Sequence, residues 1–144
     1  ICLGAQLLAD TLGGKIFKNS EPEIGWFPIK RTLETSVLLK DIPSTFTCFH
    51  WHGDTFSLPA NTKNMAFSEA CENQLFIYKD QIIGLQFHLE CDLPALENML
   101  KNGSDEIRPA KHIQDAKFIT SQTRYISENK ELLFTLLDNL AGVS

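Results

Sequence analysis

The stretch "NQLFIYKDQIIGLQFHLE" at 73–90 constrains the fold of this chain more than any other. Two apolar runs of strand length meet across Lys79-Asp80, a two-residue connection, so the segment reads as a β-hairpin. A lone hairpin is marginal in water, and this one calls for more strands and a covering layer. "TFTCFHWH" at 45–52 supplies the clearest of them, β-branched and aromatic, bounded by "IPS" before it and "GD" after it. "KIFKN" at 15–19 and "EIGWFPIKRT" at 23–32 read as two short strands with one face buried, and Pro28 places part of the second at an edge or a bulge.

Helical spacing flanks the strands on both sides. In "LGAQLLADTL" at 3–12, Leu3, Leu7, Leu8 and Leu12 predict a helix with one buried stripe, stopped by Gly13 and Gly14. After the hairpin, Asp92 is placed to cap a helix that holds Pro94 in its first turn and ends at Gly103. The remainder, 109–143, predicts two more helices, the last with Leu132, Leu133, Leu136, Leu137 and Leu140 facing the core. Helix, strands, then three helices predicts an α/β chain, one mixed sheet flanked by helices, in a single domain over 1–144.

Composition narrows the partners. Thirteen Lys and Arg against eighteen Asp and Glu give a net charge of -5 with no basic stripe, so no nucleic-acid partner is expected. No apolar run reaches the roughly 18 residues that span a bilayer, and no signal peptide opens the sequence, so no membrane partner is expected either. The four cysteines, Cys2, Cys48, Cys71 and Cys91, show no CxxC pairing and read as free thiols of a cytoplasmic protein. Three of them read as buried filler; Cys91 follows Glu90 and should point to the opposite face from it.

Cys2 differs because of its neighbours. In "ICLGAQ" the thiol stands at a tight entrance to a helix, where backbone N–H groups and the helix dipole favour a thiolate and can hold an oxyanion. At the far end of the hairpin, His88 and Glu90 are two residues apart, so strand periodicity turns both to one face. A carboxylate there can fix the imidazole tautomer while the other ring nitrogen faces a thiol.

These two pieces together resemble the class I, or triad, glutamine amidotransferases, which carry a G-x-C-x-G-x-Q elbow and a distal H-x-E. "ICLGAQ" and "GLQFHLE" match apart from the elbow's first Gly, and "EIGW" with "HWHGDTFSLP" is similar to the stand-alone proteins related to the amidotransferase domain of GMP synthase. The resemblance implies a flavodoxin-like fold and glutamine hydrolysis through a cysteinyl thioester, with no cofactor and no metal. Cys2 would be the nucleophile, His88 the base, Glu90 its orienting acid and the Leu3 N–H an oxyanion donor. Gln6, Trp51, Gly53 and Asp54 would hold glutamine, and the ammonia would pass to an unidentified acceptor or synthase partner. In that family an α/β subdomain precedes the elbow. The chain, opening at Ile1, is thus expected to be a C-terminal portion that lacks the N-terminal strands. By itself it is expected to be inactive or weakly active, and to join that missing segment or self-associate through an exposed sheet edge.

Three alternatives stand beside this reading. His50, His52 and Asp54 match H-x-H-x-D, half of a metallo-β-lactamase zinc site, but Thr55 occupies the position where a further His is needed. If no zinc is held, the histidines, His50 above all, would line the pocket rim with their hydrogen bonds satisfied. An N-terminal-nucleophile amidotransferase would need its Cys at position 1, not 2. A catalytically inactive amidotransferase-like fragment that serves as a binding or interaction module remains the alternative function.

Overall fold

The computed structural model describes residues 1–142, so the end of the predicted last helix, at Val143, lies outside the described residues. Helix α1 (Leu3–Thr11) leads into strand β1 (Ile16–Arg31), a 3-10 turn (Val37–Leu39), β2 (Thr45–Phe56), β3 (Thr62–Phe67), β4 (Leu75–Tyr78) and β5 (Ile82–Leu85). Three helices follow, α2 (Leu93–Asn102), α3 (Ala116–Ser121) and α4 (Arg124–Ala141). None of them is long and apolar enough to cross a membrane. The strands form a five-stranded sheet in the order β2-β1-β3-β4-β5.

The α/β class with flanking helices is as the sequence predicts, but each of the four strand ladders is antiparallel. Among the described residues, the parallel component of the expected mixed sheet is reduced to a single bridge between Ile24 and Ile113. Where two strands were expected near the start there is one, β1, whose register against β2 shifts between Lys18 and Glu23. The side chain of Asn19 bridges that irregular stretch, donating to the carbonyls of Glu21 and Ala70. Pro28 pairs with Thr47 of β2, and β3 reaches only Lys30 and Arg31 on the other side, so Pro28 lies on an open margin of β1 as predicted.

That margin is closed by the loop before α3. Ile24 N–H donates to the His112 carbonyl, and the Gln114 amide both donates to and accepts from the Trp26 backbone at 2.8 Å, standing in for a neighbouring strand. Gly25, at φ 127°, makes the approach possible, because a Cβ there would lie 2.3 Å from Gln114 Oε1.

The hairpin turns as the sequence predicts. Lys79 and Asp80 both adopt positive φ, and Gln81 N–H closes the turn on the Tyr78 carbonyl. Asp92 caps α2 through Ala95 N–H, with Pro94 in the first turn and Gly103 at the end.

Two leucine stripes behave differently from expectation. In α1 the sheet-facing residues are Ala5, Gln6 and Ala9, while Leu3 and Leu7 are 61% and 52% exposed. The cause is a backbone bond from Cys2 N–H to the Leu85 carbonyl at 2.7 Å, which fixes the start of the helix against β5 and so sets its rotation. In α4, Leu136 is buried and Leu132 and Leu133 are half-buried, but Leu137 and Leu140 are exposed. Asn129 and Asn139 occupy the inward face instead, donating to the carbonyls of Thr47, Leu38 and Lys40.

One core layer joins Ile29, Met65, Ile77, Phe87 and Leu136, and a second joins Ile24, Trp26, Phe49, Leu96 and Ile119. Burial on this scale stabilises by roughly 1.5–3 kcal/mol per large side chain. β2 contributes Cys48 to the first layer and Phe49 to the second, and the candidate site lies along its stretch from Phe49 to Asp54.

Candidate active site

Cys2 is the N-cap of α1, with φ 46° and ψ -113°. A non-glycine residue there costs on the order of 1–3 kcal/mol and persists only where its surroundings enforce it. The enforcement is visible: Cys2 N–H is held by Leu85, and its carbonyl accepts from Ala5 and Gln6 N–H. An N-cap side chain ordinarily folds back onto the first turn, but the Cys2 side chain makes no such bond. Its half-buried sulfur instead lies 3.9 Å from the Trp51 carbonyl and 3.5 Å from Gln86 Nε2. Leu3, the first residue of α1, occupies a position where helix amides have no intrahelical acceptor, while its side chain points to solvent.

His88 and Glu90 follow β5 rather than ending it, since the strand stops at Leu85. His88 is fixed to β2 through its N–H and the Phe49 carbonyl at 2.8 Å. Its Nδ1 meets Glu90 Oε1 at 2.6 Å, which places the Nδ1 proton toward the carboxylate. Nε2 is buried and has no hydrogen-bond partner. Burial pushes the imidazole pKa down, but the Cys2 sulfur and the Glu90 carboxylate outweigh it and raise the value to about 9. Burial likewise opposes ionisation of Glu90, yet His88 holds that carboxyl below its ordinary value.

The other predicted positions gather around the sulfur with different parts exposed. Gln6 uses both protons of its Nε2, one to the Asp54 carbonyl and one to Gln86 Oε1, each at 3.1 Å. Trp51 offers its carbonyl to Cys2, while its indole N–H donates to Glu106 beside a shallow cavity of about 350 Å³ lined by Asn98, Met99 and Asn102. Gly53 and Asp54 are exposed at the end of β2, and Asp54 contributes its carbonyl inward.

His50 and His52 do not line the rim; both are buried on the opposite face of β2. His52 stands directly across the ladder from Glu23, and its Nε2 lies 3.1 Å from the carboxylate while Nδ1 meets the Asp54 carbonyl. Glu23 also accepts from Gln74 at 2.6 Å. Burial lowers the His50 pKa to about 4 against the pull of Glu23, so this imidazole is neutral. Glu23, His50 and His52 present donor atoms within 4.8 Å of one another, but Asp54, the third residue of the H-x-H-x-D pattern, is absent from that group. Glu23 and His52 are hydrogen-bonded to protein groups, while His50 Nδ1, 3.7 Å from the Glu23 carboxylate, has no hydrogen-bond partner. Cys48, Cys71 and Cys91 are buried free thiols, and burial raises the pKa of each, to about 12 for Cys91.

Sequence reasoning passed over Gln86 and Glu23. Gln86 was visible as a lone amide inside the apolar run "GLQFHLE", and Glu23 as the first residue of "EIGW".

The family model for glutamine amidotransferase class I matches residues 1–106, and this chain belongs to that family. Among its relatives is the glutamine amidotransferase-like protein YfeJ of Salmonella typhimurium, 33% identical over 97% of this chain and 60% of that protein. GMP synthase (glutamine-hydrolysing) of Borreliella burgdorferi is 35% identical over 62% of this chain and 18% of the relative. The crystal structure of a glutamine amidotransferase from Thermotoga maritima superimposes with a TM-score of 0.83 at 32% identity, over 96% of this chain and 60% of that one. A second, from Methylobacillus flagellatus, reaches 0.92 at 24% identity over 99% and 61% of the two chains, and shows the fold alone. The chain therefore spans about 60% of the length of YfeJ and of these structures.

Proposed function

We propose that the protein of this chain hydrolyses the side-chain amide of glutamine to glutamate and ammonia through a thioester on Cys2. The Cys2 sulfur attacks the amide carbon, His88 takes the thiol proton at Nε2 and delivers it to the departing nitrogen, and Glu90 holds the ring through Nδ1. The Leu3 N–H is one donor to the oxyanion. Water then attacks the thioester, with His88 as base, and glutamate leaves. Gln6 Oε1 and the backbone around Trp51, Gly53 and Asp54 hold the amino-acid end of the substrate. No step requires a metal or cofactor.

The observation that carries the reading is the strained elbow at Cys2 brought beside an imidazole whose far nitrogen is held by a carboxylate. Free thiols throughout suit a cytoplasmic protein. The GMP synthase relatives support a synthase domain or subunit as the ammonia acceptor.

Glutamate release by the intact protein, together with its ammonia acceptor, tests this. Cys2→Ala should lower the rate by at least about 10⁴-fold. A rate unchanged by that substitution overturns the reading. Absence of turnover in the unmodified protein would favour a binding module instead.

A further inference from the structure

Gln86 is fully buried, and every polar atom of its side chain is committed. The direction of those bonds can be read without ambiguity. The Asp54 backbone carbonyl can only accept, so the Gln6 atom 3.1 Å from it is the Nε2 donor. That same nitrogen lies 3.1 Å from Gln86, which must present its Oε1 there. Gln86 Nε2 is thereby turned to the Cys2 sulfur at 3.5 Å. The Gln86 backbone is anchored as well, its N–H donating to the Gln74 carbonyl at 2.9 Å, so the amide cannot easily swing away.

The sulfur thus has two contacts of opposite sense. Toward the Trp51 carbonyl, at 3.9 Å, it can only donate, and therefore only as the thiol. Toward Gln86 it can only accept, which a thiolate does far better than a thiol.

We propose that Gln86 is a further catalytic residue: its side-chain N–H holds the Cys2 sulfur as the thiolate that attacks the substrate. The thiol proton passes to His88 Nε2 and the electron pair stays on sulfur, where Gln86 receives it. In the attack that pair forms the C–S bond, the C–N bond breaks, and the nitrogen leaves as ammonia with the proton from His88. The inference rests on the hydrolytic reading for its consequence in turnover, but its own signature is the titration of the sulfur.

That signature is measured by the pH dependence of Cys2 alkylation with iodoacetamide in the intact protein, followed by mass spectrometry of the peptide carrying Cys2. Gln86→Leu, which removes the donor, should move the midpoint upward by about one unit. Gln86→Glu keeps an acceptor for Gln6 and sets an oxygen against the sulfur, so its midpoint should rise further. A midpoint within about 0.3 units of the unmodified protein in either folded variant overturns the proposal. Where a variant does not fold, the unmodified protein decides: the Gln86 side-chain amide signals, followed by ¹⁵N NMR, should titrate with the midpoint of Cys2 alkylation. Signals that stay flat through that midpoint overturn it. Loss of glutaminase dependence on Cys2, by contrast, would defeat the hydrolytic reading while leaving the alkylation midpoints as they are.

Discussion

Cys2 N–H donates to the Leu85 carbonyl at 2.7 Å, three residues before His88. One short segment therefore sets both the strained backbone of the elbow and the position of the imidazole, and the two cannot drift apart independently. His88 N–H on the Phe49 carbonyl ties the same segment to β2, which brings the Trp51 carbonyl to the sulfur.

Glu90→Gln removes a charge-assisted bond of 2.6 Å while keeping its shape. Such a bond is worth about 1.5–3 kcal/mol, so kcat for glutamine hydrolysis should fall by roughly 10- to 150-fold with KM little changed. A loss confined to KM would assign Glu90 to substrate binding instead.

Two histidines shape the pH dependence of stability in opposite senses. The pKa of His88 is raised from its ordinary 6.5 to about 9, so its contribution is complete below 6.5 and is lost as the pH rises through 9. The pKa of His50 is lowered from 6.5 to about 4, so the folded state is penalised as the pH falls from 6.5 toward 4, where the unfolded chain takes up a proton first. Each limb amounts to on the order of 3 kcal/mol. Thermal unfolding should show maximal stability near pH 6.5, with the alkaline limb flattened by His88→Asn. A stability that keeps rising to pH 9 would contradict the His88 environment.

Gly103→Ala should loosen the wall beside the site. A Cβ at Gly103 would lie 2.4 Å from the Trp51 ring and 3.1 Å from the Met99 carbonyl, so the indole must move from its bond with Glu106. Overpacking of this kind costs about 1–3 kcal/mol, readable in urea unfolding. An unchanged midpoint would show that the indole has room to yield.

Local chemistry was legible in the sequence; strand register and the rotation of the covering helices were not. The turn at Lys79-Asp80 and the Asp92 cap are set by a few adjacent residues. β3 escaped notice because polar Lys63 and Asn64 lead into its two buried residues, Met65 and Ala66, leaving only a short apolar run. The stripe of α1 misled because leucine spacing gives a helix but not its rotation, which the Cys2–Leu85 bond decides. Within the site, the motif residues Cys2, His88 and Glu90 could be named from the chain; the structure pairs His88 with Glu90 at 2.6 Å, and the Cys2 sulfur is among the groups that raise the imidazole's pKa. Gln86 and the Glu23–His52 pair could not, since a buried polar partner is chosen by strand register and by folding across some eighty residues, as from Gln6 to Gln86.

The most direct test is covalent labelling with a diazoketone analogue of glutamine. One label per chain should appear on Cys2, glutamine should slow it, and His88→Asn should reduce its rate by at least about 100-fold. Label on Cys48, Cys71 or Cys91, or a rate on Cys2 indifferent to His88→Asn, would contradict the assembly of sulfur and imidazole as a working pair.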